Sequence, residues 1–338
     1  MSELNEAKET VRSLIAQFDC AATPGDMIGA IVAHASPDYH WRGVHPFHEQ
    51  ENAESAVDVF WAPFRKSFTA SQRRMDIFFA GANHCESSAS YWVVNVGNFM
   101  GLFDHDWLGI RPTGKIAMLR YAEFHEVRDG KIAQTAFFCD ILSIMHQAGV
   151  YPLPPMTGAP FVYPGPRTHD GLLFETSDAT ESEKTLALVN RMIEDLSTLN
   201  TNNADRCPPE LLARTWADDM IWYGPYGIGA SMTISRYQVQ HQYPFRDNLT
   251  DKTFNGHVAR IAEGNYCGFF GWPNLNNRNK GGFLGLPASD VHAPMRVVDI
   301  YRREGDKLAE NWVYIDMLHY LKAQGLDVLE RTRQSAYR

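Results

Sequence analysis

The chain has 338 residues, of which 44% are hydrophobic and 21% are charged, and its formal net charge is −9. This composition is typical of a water-soluble globular protein, and the length is sufficient for two ordinary domains. The acidic balance, with a pI near 5.8, argues against nucleic acid or an anionic membrane surface as the main partner.

Apolar runs and cysteines indicate the compartment. No run approaches the roughly 18 apolar residues of a membrane span. The N-terminal residues 1–10 are charged and lack the apolar region of a signal peptide. The five cysteines form no C-x-x-C pair and are odd in number. We therefore expect reduced thiols in a cytoplasmic protein.

The first half is predicted to contain helices, then a helix and a run of strands. Apolar residues at a spacing of three and four predict a helix over 3–19, and a second follows over 27–34. The remaining predicted elements are a short strand at 37–43, a helix at 54–68, strands at 75–80, 88–96 and 115–126, a hairpin within 119–144, and a helix at 141–148.

A linker separates two predicted domains. Residues 151–168 are rich in Pro and Gly, which neither a helix interior nor a central strand tolerates. The sequence predicts a first domain over 1–150, a linker over 151–178 and a second domain over 179–338.

The second half repeats the same order of elements. A helix is predicted over 181–199, another from Pro208 to about Trp216, and a strand at 219–224. A further helix starts at Thr233 and is predicted to end before Pro244. The polar segment 272–282 ends in two glycines and is predicted to be a mobile flap. Two strands joined by a tight turn occupy 295–319.

Fixed offsets between the halves indicate an internal duplication. Trp41 and Trp222 are 181 residues apart, whereas Asp140 and Asp316 are 176 apart, and each offset holds over a long block. Helices followed by antiparallel strands suggest an α+β domain in each half, with helices on one face of a curved sheet. The open end of such a sheet is a usual place for a small ligand.

Several motifs of the second half resemble one group of proteins. They are W-Y-G-P-Y-G-I-G at 222–229, H-Q-Y-P-F at 241–245, G-W-P at 271–273 and the paired strands 296–302 and 311–316. Together they resemble the SnoaL-like polyketide cyclases of the NTF2-like superfamily. The resemblance covers nearly all of the second half and, more weakly, residues 39–150.

The resemblance implies a cone-shaped α+β barrel in each half and a chain that folds as an internal pseudo-dimer. It also implies a cofactor-independent aldol ring closure, in which an Asp on a late strand is the general acid/base. That position corresponds to Asp316 and, in the first half, to Asp140. Cones of this superfamily also host isomerases, dehydratases, epoxide hydrolases and non-catalytic binding modules, so the reaction stays open.

The residues themselves give Asp316 two interpretations. Its side chain shares a strand face with Trp312 and Tyr314. A carboxylate among aromatic rings has a raised pKa, which suits proton transfer near neutral pH. Alternatively, Asp316 is a structural residue that caps the following helix. Asp140 has the same two interpretations.

His241 breaks the symmetry of the two halves. It is a second proton-transfer group or a substrate hydrogen-bond donor, or else a polar residue that ties its helix to the sheet. The equivalent residue of the first half is Phe60. We therefore expect the two pockets to differ and the second half to carry the working site.

Further candidates would shape the pocket. Asp299 could pair with Asp316 across adjacent strands, or be neutralised by Arg296 or Arg302. Five aromatic residues are expected to form the walls of a pocket for a flat or cyclic substrate. The alternative is that they are ordinary core residues. These residues are Trp222, Tyr223, Trp272, Trp312 and Tyr314.

Metal and cofactor motifs are absent from the sequence. The cluster of His40, His45, His48 and Glu49 matches no H-E-x-x-H pattern, and there is no phosphate-binding or dinucleotide-binding glycine motif. We expect no metal, no cofactor and a small-molecule partner, with a homo-oligomer as a further option. Two function classes remain: an acid/base enzyme for a small substrate with a carbonyl or hydroxyl group, and a ligand-binding or assembly module.

Overall fold

A computed structural model of the protein describes residues 2–86, 90–202 and 206–336. The chain divides into two compact units. Unit 1 comprises Met1–Pro152, Arg167–Thr176 and Asp327–Arg338, and unit 2 comprises Leu153–Pro166 and Ser177–Leu326. The segment predicted as a linker therefore contributes residues to both units.

Among the described residues, unit 1 contains six α-helices and six strands. They are α1 (Glu3–Cys20), α2 (Pro24–His34), β1 (Ala35–Gly43), β2 (His48–Gln50), α3 (Ala53–Ala56), α4 (Ala62–Ser67), β3 (Phe68–Ala82), β4 (Tyr91–Phe103), β5 (Ile116–Arg128), β6 (Lys131–Cys139), α5 (Ile141–Gln147) and, near the C-terminus, α11 (Val328–Ala336). A π-helical turn, Val57–Trp61, joins α3 to α4.

Unit 2 has a matching series. Its elements are α6 (Ala179–Asn202), α7 (Pro209–Leu212), β7 (Trp216–Tyr223), β8 (Ser231–Met232), α8 (Ile234–Tyr237), α9 (Tyr243–Asn248), β9 (Leu249–Phe254), β10 (Ala259–Glu263), β11 (Tyr266–Asn279), β12 (Ala293–Glu304), β13 (Lys307–Ile315) and α10 (Met317–Ala323). A π-helical turn, Gln238–Gln242, joins α8 to α9. Within the described ranges, every helix falls short of the length or hydropathy of a transmembrane span.

Both units are α+β, and their sheets have the same strand order. The order is β2-β1-β6-β5-β4-β3 in unit 1 and β8-β7-β13-β12-β11-β10 in unit 2, where β9 also pairs with β11. The internal duplication predicts this agreement, because equivalent segments occupy equivalent places in the two sheets. The α+β class predicted from the sequence is confirmed.

The expected antiparallel barrel needs a correction. β1 pairs with β6 in parallel, and β7 pairs with β13 in parallel, so each sheet is mixed. Among the described residues, the two end strands of each sheet do not pair with each other, and neither sheet closes into a barrel. The first strand of each unit reaches its partner through a long connection, which allows parallel pairing.

The prediction that Pro244 ends its helix is wrong. The helical path runs from α8 through the π-helical turn into α9, and Pro244 lies in the first turn of α9. Proline cannot donate to the carbonyl four residues earlier. That carbonyl, of Gln240, instead accepts a hydrogen bond from the Thr157 hydroxyl at 2.6 Å. The wide π-helical turn therefore accommodates the proline ring, and the Thr157 hydroxyl keeps the carbonyl paired.

The predicted flap is also wrong. Residues 272–279 continue strand β11, which pairs with β12 on one side and with β9 on the other. The polar side chains of the segment are partly buried rather than exposed, and Asn277 accepts a hydrogen bond from the Tyr320 hydroxyl at 2.9 Å. A polar segment can thus form an inner strand when amides find partners inside the protein, as Asn274 does with the Val297 amide and Asn279 with the Phe283 carbonyl.

A glycine beside a buried tryptophan occurs at the same place in both units. A Cβ atom added to Gly43 would overlap the Trp41 indole, and one added to Gly224 would overlap the Trp222 indole. Both tryptophans are buried, and each contacts the π-helical turn of its unit: the ring centroids of Trp41 and Phe60 are 6.1 Å apart, and those of Trp222 and His241 are 4.1 Å apart. The absence of a side chain at these two positions thus lets each indole fold back over its own strand.

We expect Gly224→Ala to lower the free energy of unfolding of unit 2 by about 1–3 kcal/mol, because the Trp222 indole must move in a packed core. Gly43→Ala should do the same in unit 1. In Gly29→Ala, where the new methyl group meets no atom within 4 Å in helix α2, stability should rise by roughly 0.5–1 kcal/mol. Urea unfolding followed by tryptophan fluorescence measures all three. Equal stability of Gly224→Ala and the wild type would contradict the packing described.

Candidate functional site

Unit 2 contains a cavity of about 210 Å³ between its sheet and the helices packed on it. Residues of α6, of the 234–248 helical path and of five strands line it. The polar residues of the lining are Ser197, Tyr237, His241, Gln242, Arg246, His257, Asn274, Asp299, Tyr301 and Asn311, and the others are apolar or tryptophan. An apolar cavity with a few convergent polar groups is the usual form of a small-ligand site.

Strand alternation decides which side chains reach this cavity. On β12 the lining residues are Met295, Val297, Asp299 and Tyr301, and on β13 they are the odd-numbered residues from Asn311 to Ile315. The residues between them point to the opposite face of the sheet. Asp299 is therefore the carboxylate that these two strands present to the cavity.

Asp299 is held on one side only. Its Oδ1 accepts hydrogen bonds from the Tyr301 hydroxyl at 3.1 Å and from the Asn311 amide at 3.3 Å. Among the described residues, Asp299 has no cationic partner and Oδ2 accepts no hydrogen bond. Burial raises the pKa of Asp299 from 3.8 to about 6, against the smaller opposite effect of the two hydrogen bonds.

His241 lies in the π-helical turn and faces the same cavity. Its ring stacks on Trp222, with centroids 4.1 Å apart and an angle of 19° between the planes. Burial and the nearby Arg246 lower the pKa of His241 to about 3, so the imidazole is neutral at pH 7. Its Nδ1 is buried and has no hydrogen-bond partner within the described part of the chain. His241 thus brings a neutral ring with one unsatisfied nitrogen to the lining of the cavity.

The structure places Asp316 away from this cavity. It is the N-cap of α10, where its side chain accepts from the His319 amide at 3.3 Å, and it forms an ion pair with Arg296 at 3.2 Å. It is absent from the cavity lining, and Asp299 and Asp316 do not form the pair suggested from the sequence. Asp316 thus has the capping environment that was the alternative interpretation. Asp140 repeats it at the N-cap of α5, with Ser143 and Arg120 as partners.

Only one of the five predicted aromatic walls lies in the cavity. Trp222 lines it, whereas Tyr223, Trp272, Trp312 and Tyr314 do not. Tyr223 stacks on Trp312 at 5.4 Å, and the Trp312 indole donates to the Pro164 carbonyl at 3.0 Å. These contacts cover the opposite face of the sheet.

Of the ten polar lining residues, the sequence predicts only His241 and Asp299 as site residues. Three of the other eight, His257, Tyr301 and Asn311, bear most directly on Asp299 and its surroundings. Tyr301 and Asn311 both bond to Asp299. Tyr301 lies two residues from Asp299 on the same strand, so strand parity would have found it once Asp299 was taken as the central carboxylate. Asn311 and His257 reach the site from β13 and from the β9–β10 loop, and no local sequence pattern indicates either.

Unit 1 closes the equivalent space. The cavity that Arg73 and Glu123 line in unit 1 has a volume of about 30 Å³. Phe60 replaces His241, and its ring packs on Phe137 at 4.6 Å. At the offset of 176 residues, Tyr121 and Phe137 replace the smaller Val297 and Val313. Aromatic side chains therefore fill the volume that stays open in unit 2.

The carboxylate of unit 1 is paired. Glu123, the counterpart of Asp299, lies 2.5 Å from Arg73 and also accepts from the Asn95 amide at 2.9 Å. Although burial opposes it, the Arg73 charge is the main attraction that lowers the pKa of Glu123 to about 2. The strand register shows which residue replaces Arg73 in unit 2. Arg73 of β3 lies opposite Phe99 of β4, and at the matching place Phe254 of β9 lies opposite Leu275 of β11. Phe254 thus stands where unit 1 has its cation.

The histidine cluster of the first half does not form a metal centre. His40 contacts Glu49 at 3.0 Å, and His45 contacts His48 at 3.2 Å. Within the described ranges, no three His, Cys, Asp or Glu side chains converge as metal ligands. The unit 2 cavity is lined by one carboxylate, Asp299, and two histidines, His241 and His257, and in the described part of the chain these three side chains do not converge as metal ligands either.

No protein-family model matches the sequence, and no curated protein matches it. Several solved structures are similar to part of the chain. A proposed SnoaL-like polyketide cyclase from Jannaschia sp. CCS1 has 18% identity and a TM-score of 0.36, over 46% of this chain and 98% of that one. An NTF2-like protein from Burkholderia thailandensis has 20% identity and a TM-score of 0.32, over 43% and 98%. A proposed polyketide cyclase from Streptomyces antibioticus has 16% identity and a TM-score of 0.33, over 43% and 99%.

The pH dependence of stability should report the ionisation of Asp299. Because its pKa is raised to about 6 in the folded protein, the folded state binds this proton more tightly than the unfolded chain. The stability from that proton is fully present below about pH 4 and is lost as the pH rises through 6. Between pH 4 and 7, we expect the free energy of unfolding of the wild type to fall by on the order of 2–3 kcal/mol relative to that of Asp299→Asn.

Urea unfolding of both proteins at pH 4, 5, 6 and 7 measures this difference. Glu123→Gln is the matched control. Because the pKa of Glu123 is lowered to about 2, its contribution is present above about pH 4.3 and lost as the pH falls through 2. The difference between wild type and Glu123→Gln should therefore stay flat from pH 5 to 7. A flat difference for Asp299→Asn as well would contradict the raised pKa.

Proposed function

We propose that unit 2 is a cofactor-independent acid/base catalyst for a small, largely apolar substrate with a carbonyl or hydroxyl group. One observation carries the proposal: Asp299 lies in an apolar cavity without a cationic partner among the described residues, and its pKa is about 6. A carboxyl group with a pKa near the working pH is suited to both taking and returning a proton.

The contacts of Asp299 support this role. Tyr301 and Asn311 fix the carboxylate through Oδ1. Oδ2 is left for a ligand, since no described residue donates to it. Fixed orientation of a general base within reach of the substrate is as important for its rate as its pKa. At neutral pH most of the Asp299 population is ionised and can act as the base.

His241 is proposed to bind the substrate rather than to carry charge. Because the pKa of His241 is about 3, it remains neutral throughout the working pH range. The ring offers one donor and one acceptor beside the Trp222 face. A planar substrate resting near these rings would have its polar group close to His241.

Intramolecular aldol addition is the reaction that we name, following the resemblance of the 222–229 and 241–245 motifs. The same proton transfer serves elimination, hydration and isomerisation, which belong to the lyase and isomerase classes. We do not assign this chemistry to unit 1. There Glu123 forms an ion pair with Arg73, and the cavity beside it has a volume of only about 30 Å³. A cytoplasmic location and a homo-oligomeric state remain proposals from the sequence.

Hydrogen–deuterium exchange of 2-tetralone tests the proposal. This bicyclic ketone has exchangeable protons beside its carbonyl group, and proton NMR in deuterated buffer follows their loss. Wild-type protein should accelerate the exchange over buffer, and Asp299→Asn should lower the rate by about 10²-fold or more. The rate should rise with pH and level off above about 6, as Asp299 ionises.

Glu123→Gln is the matched control and should exchange the ketone as fast as the wild type. Equal rates in the wild type and Asp299→Asn would assign the proton transfer to another group. Binding of 2-tetralone without faster exchange would instead identify unit 2 as a ligand-binding module.

A further inference from the structure

His257 lies in the loop between β9 and β10 and lines the unit 2 cavity. Its imidazole stacks on the Phe269 ring, with centroids 3.9 Å apart and an angle of 15° between the planes. Stacking at this distance fixes the plane of the imidazole ring. The role of His257 then depends on which of its two nitrogens carries the proton.

Arg260 decides the position of that proton. Its guanidinium approaches His257 Nδ1 through Nε at 3.2 Å and through Nη2 at 2.8 Å. A guanidinium can only donate hydrogen bonds and does not lose its proton in proteins. Nδ1 must therefore accept, and the proton of a neutral His257 must lie on Nε2.

Arg260 is itself held in place. Its Nη1 donates to the Asn190 side chain of α6 at 2.8 Å. Burial and the charge of Arg260 lower the pKa of His257 to about 3, so His257 is neutral at pH 7. The imidazole is thus a neutral ring with one N–H group, and among the described residues Nε2 has no hydrogen-bond partner.

The sheet register relates His257 to Asp299. Phe269, on which His257 stacks, pairs directly with Asp299 across β11 and β12. Side chains of such a pair have Cβ atoms roughly 5 Å apart and extend from the same face. His257 and Asp299 therefore line one wall of the cavity.

Two donors that contact Asp299 are already used. The Tyr301 hydroxyl and the Asn311 amide both point to Asp299 Oδ1. His241 has no partner that fixes its tautomer, because its Nδ1 is unpaired within the described residues. Of these four groups, His257 is the one with a fixed N–H and no acceptor.

We propose that His257, held by Arg260 as its Nε2–H tautomer, donates a hydrogen bond to the carbonyl oxygen of the substrate. The inference rests on the proposed function of Asp299. In the step, the bond between the adjacent carbon and its hydrogen breaks, and the proton passes to Asp299 Oδ2. The electron pair moves into the enolate, whose oxygen carries the negative charge beside the His257 N–H. Asp299 then returns the proton to carbon, which is exchange or isomerisation. In the aldol case the enolate carbon instead bonds to a second carbonyl carbon, the π electrons of that C=O bond move to its oxygen, and this oxygen takes the proton from Asp299.

Such a donor stabilises the charge that develops on oxygen during proton removal. A neutral imidazole suits this task because it donates a hydrogen bond without giving up its proton to the enolate. Arg260 acts through His257 and is a positioning residue, whereas His257 would touch the substrate. The ligand class is thereby narrowed to molecules with a hydrogen-bond acceptor, such as a ketone, next to an acidic C–H group.

Nitrogen-15 NMR of histidine-labelled protein tests the tautomer directly. His257→Phe identifies the signals of His257 by their disappearance. In the wild type we expect a protonated Nε2 and an unprotonated Nδ1 over the whole range from pH 5 to 8. In Arg260→Met the two tautomers should mix, and Arg260→Lys, which can still donate to Nδ1, should restore the Nε2–H form. A protonated Nδ1 in the wild type would overturn the proposal.

A pair of probes tests the hydrogen bond to the ligand. 2-Tetralone and tetralin share a carbon skeleton, and only the first has a carbonyl oxygen. We expect the wild type to bind 2-tetralone about tenfold more tightly than tetralin, the worth of one good hydrogen bond. His257→Phe retains a ring to stack on Phe269, and it should bind both probes equally, with an unchanged affinity for tetralin.

The exchange assay separates the two proposals. Loss of the ketone preference together with at least a tenfold slower exchange in His257→Phe supports the donor role. A ketone preference and exchange rate that survive in His257→Phe, but fall in Asp299→Asn, would overturn the role of His257 and leave that of Asp299 standing. If neither probe binds to the wild type, the proposed function fails and the donor role fails with it.

Discussion

The two units differ in the partner of one buried carboxylate. In unit 1 the Glu123 carboxylate meets the Arg73 guanidinium at 2.5 Å, and its pKa falls to about 2. In unit 2 the equivalent strand position carries Phe254 instead of an arginine, and the pKa of Asp299 rises to about 6. Burial disfavours the charged form of both carboxylates, and an opposite charge at contact distance outweighs it in only one of them. The first arrangement is a stable core, and the second is a group that can exchange a proton.

The volume around the carboxylate follows the same division. Phe60 and Phe137 pack together in unit 1, whereas His241 and Val313 occupy these places in unit 2 and leave about 210 Å³ open. Filling a cavity with aromatic rings stabilises a fold by burying apolar surface and by dispersion contacts. Leaving it open gives up part of that stabilisation. A duplicated chain can tolerate this loss in one unit while the other retains a filled core, and it thereby gains a binding site.

The sequence was sufficient for the α+β class, the repeat and most helices and strands, because these depend on local patterns and fixed offsets. It was not sufficient for the site. Strand parity predicts that Asp316 shares a face with Trp312 and Tyr314, but Asp316 lies just beyond the strand as a helix cap, and the cavity lies on the other face of β13. Strand β13 is buried on both faces along almost its whole length. Apolar residues therefore occur on both faces of the strand, and their alternation does not indicate which face lines the cavity. Pro244 was misread for a different reason, since a π-helical turn and a distant hydroxyl group replace the hydrogen bond that proline cannot make.

Direct titration of Asp299 in the presence and absence of a cation at position 254 tests the central claim. Carbon-13 NMR of aspartate-labelled protein gives the pKa of this carboxyl group in the wild type and in Phe254→Arg, with the signal assigned by Asp299→Asn. We predict a midpoint near 6 in the wild type and a midpoint below the ordinary value of 3.8 in Phe254→Arg, because the new guanidinium would restore the pairing seen in unit 1. A wild-type midpoint near 3.8, or a midpoint that the arginine leaves unchanged, would contradict the account.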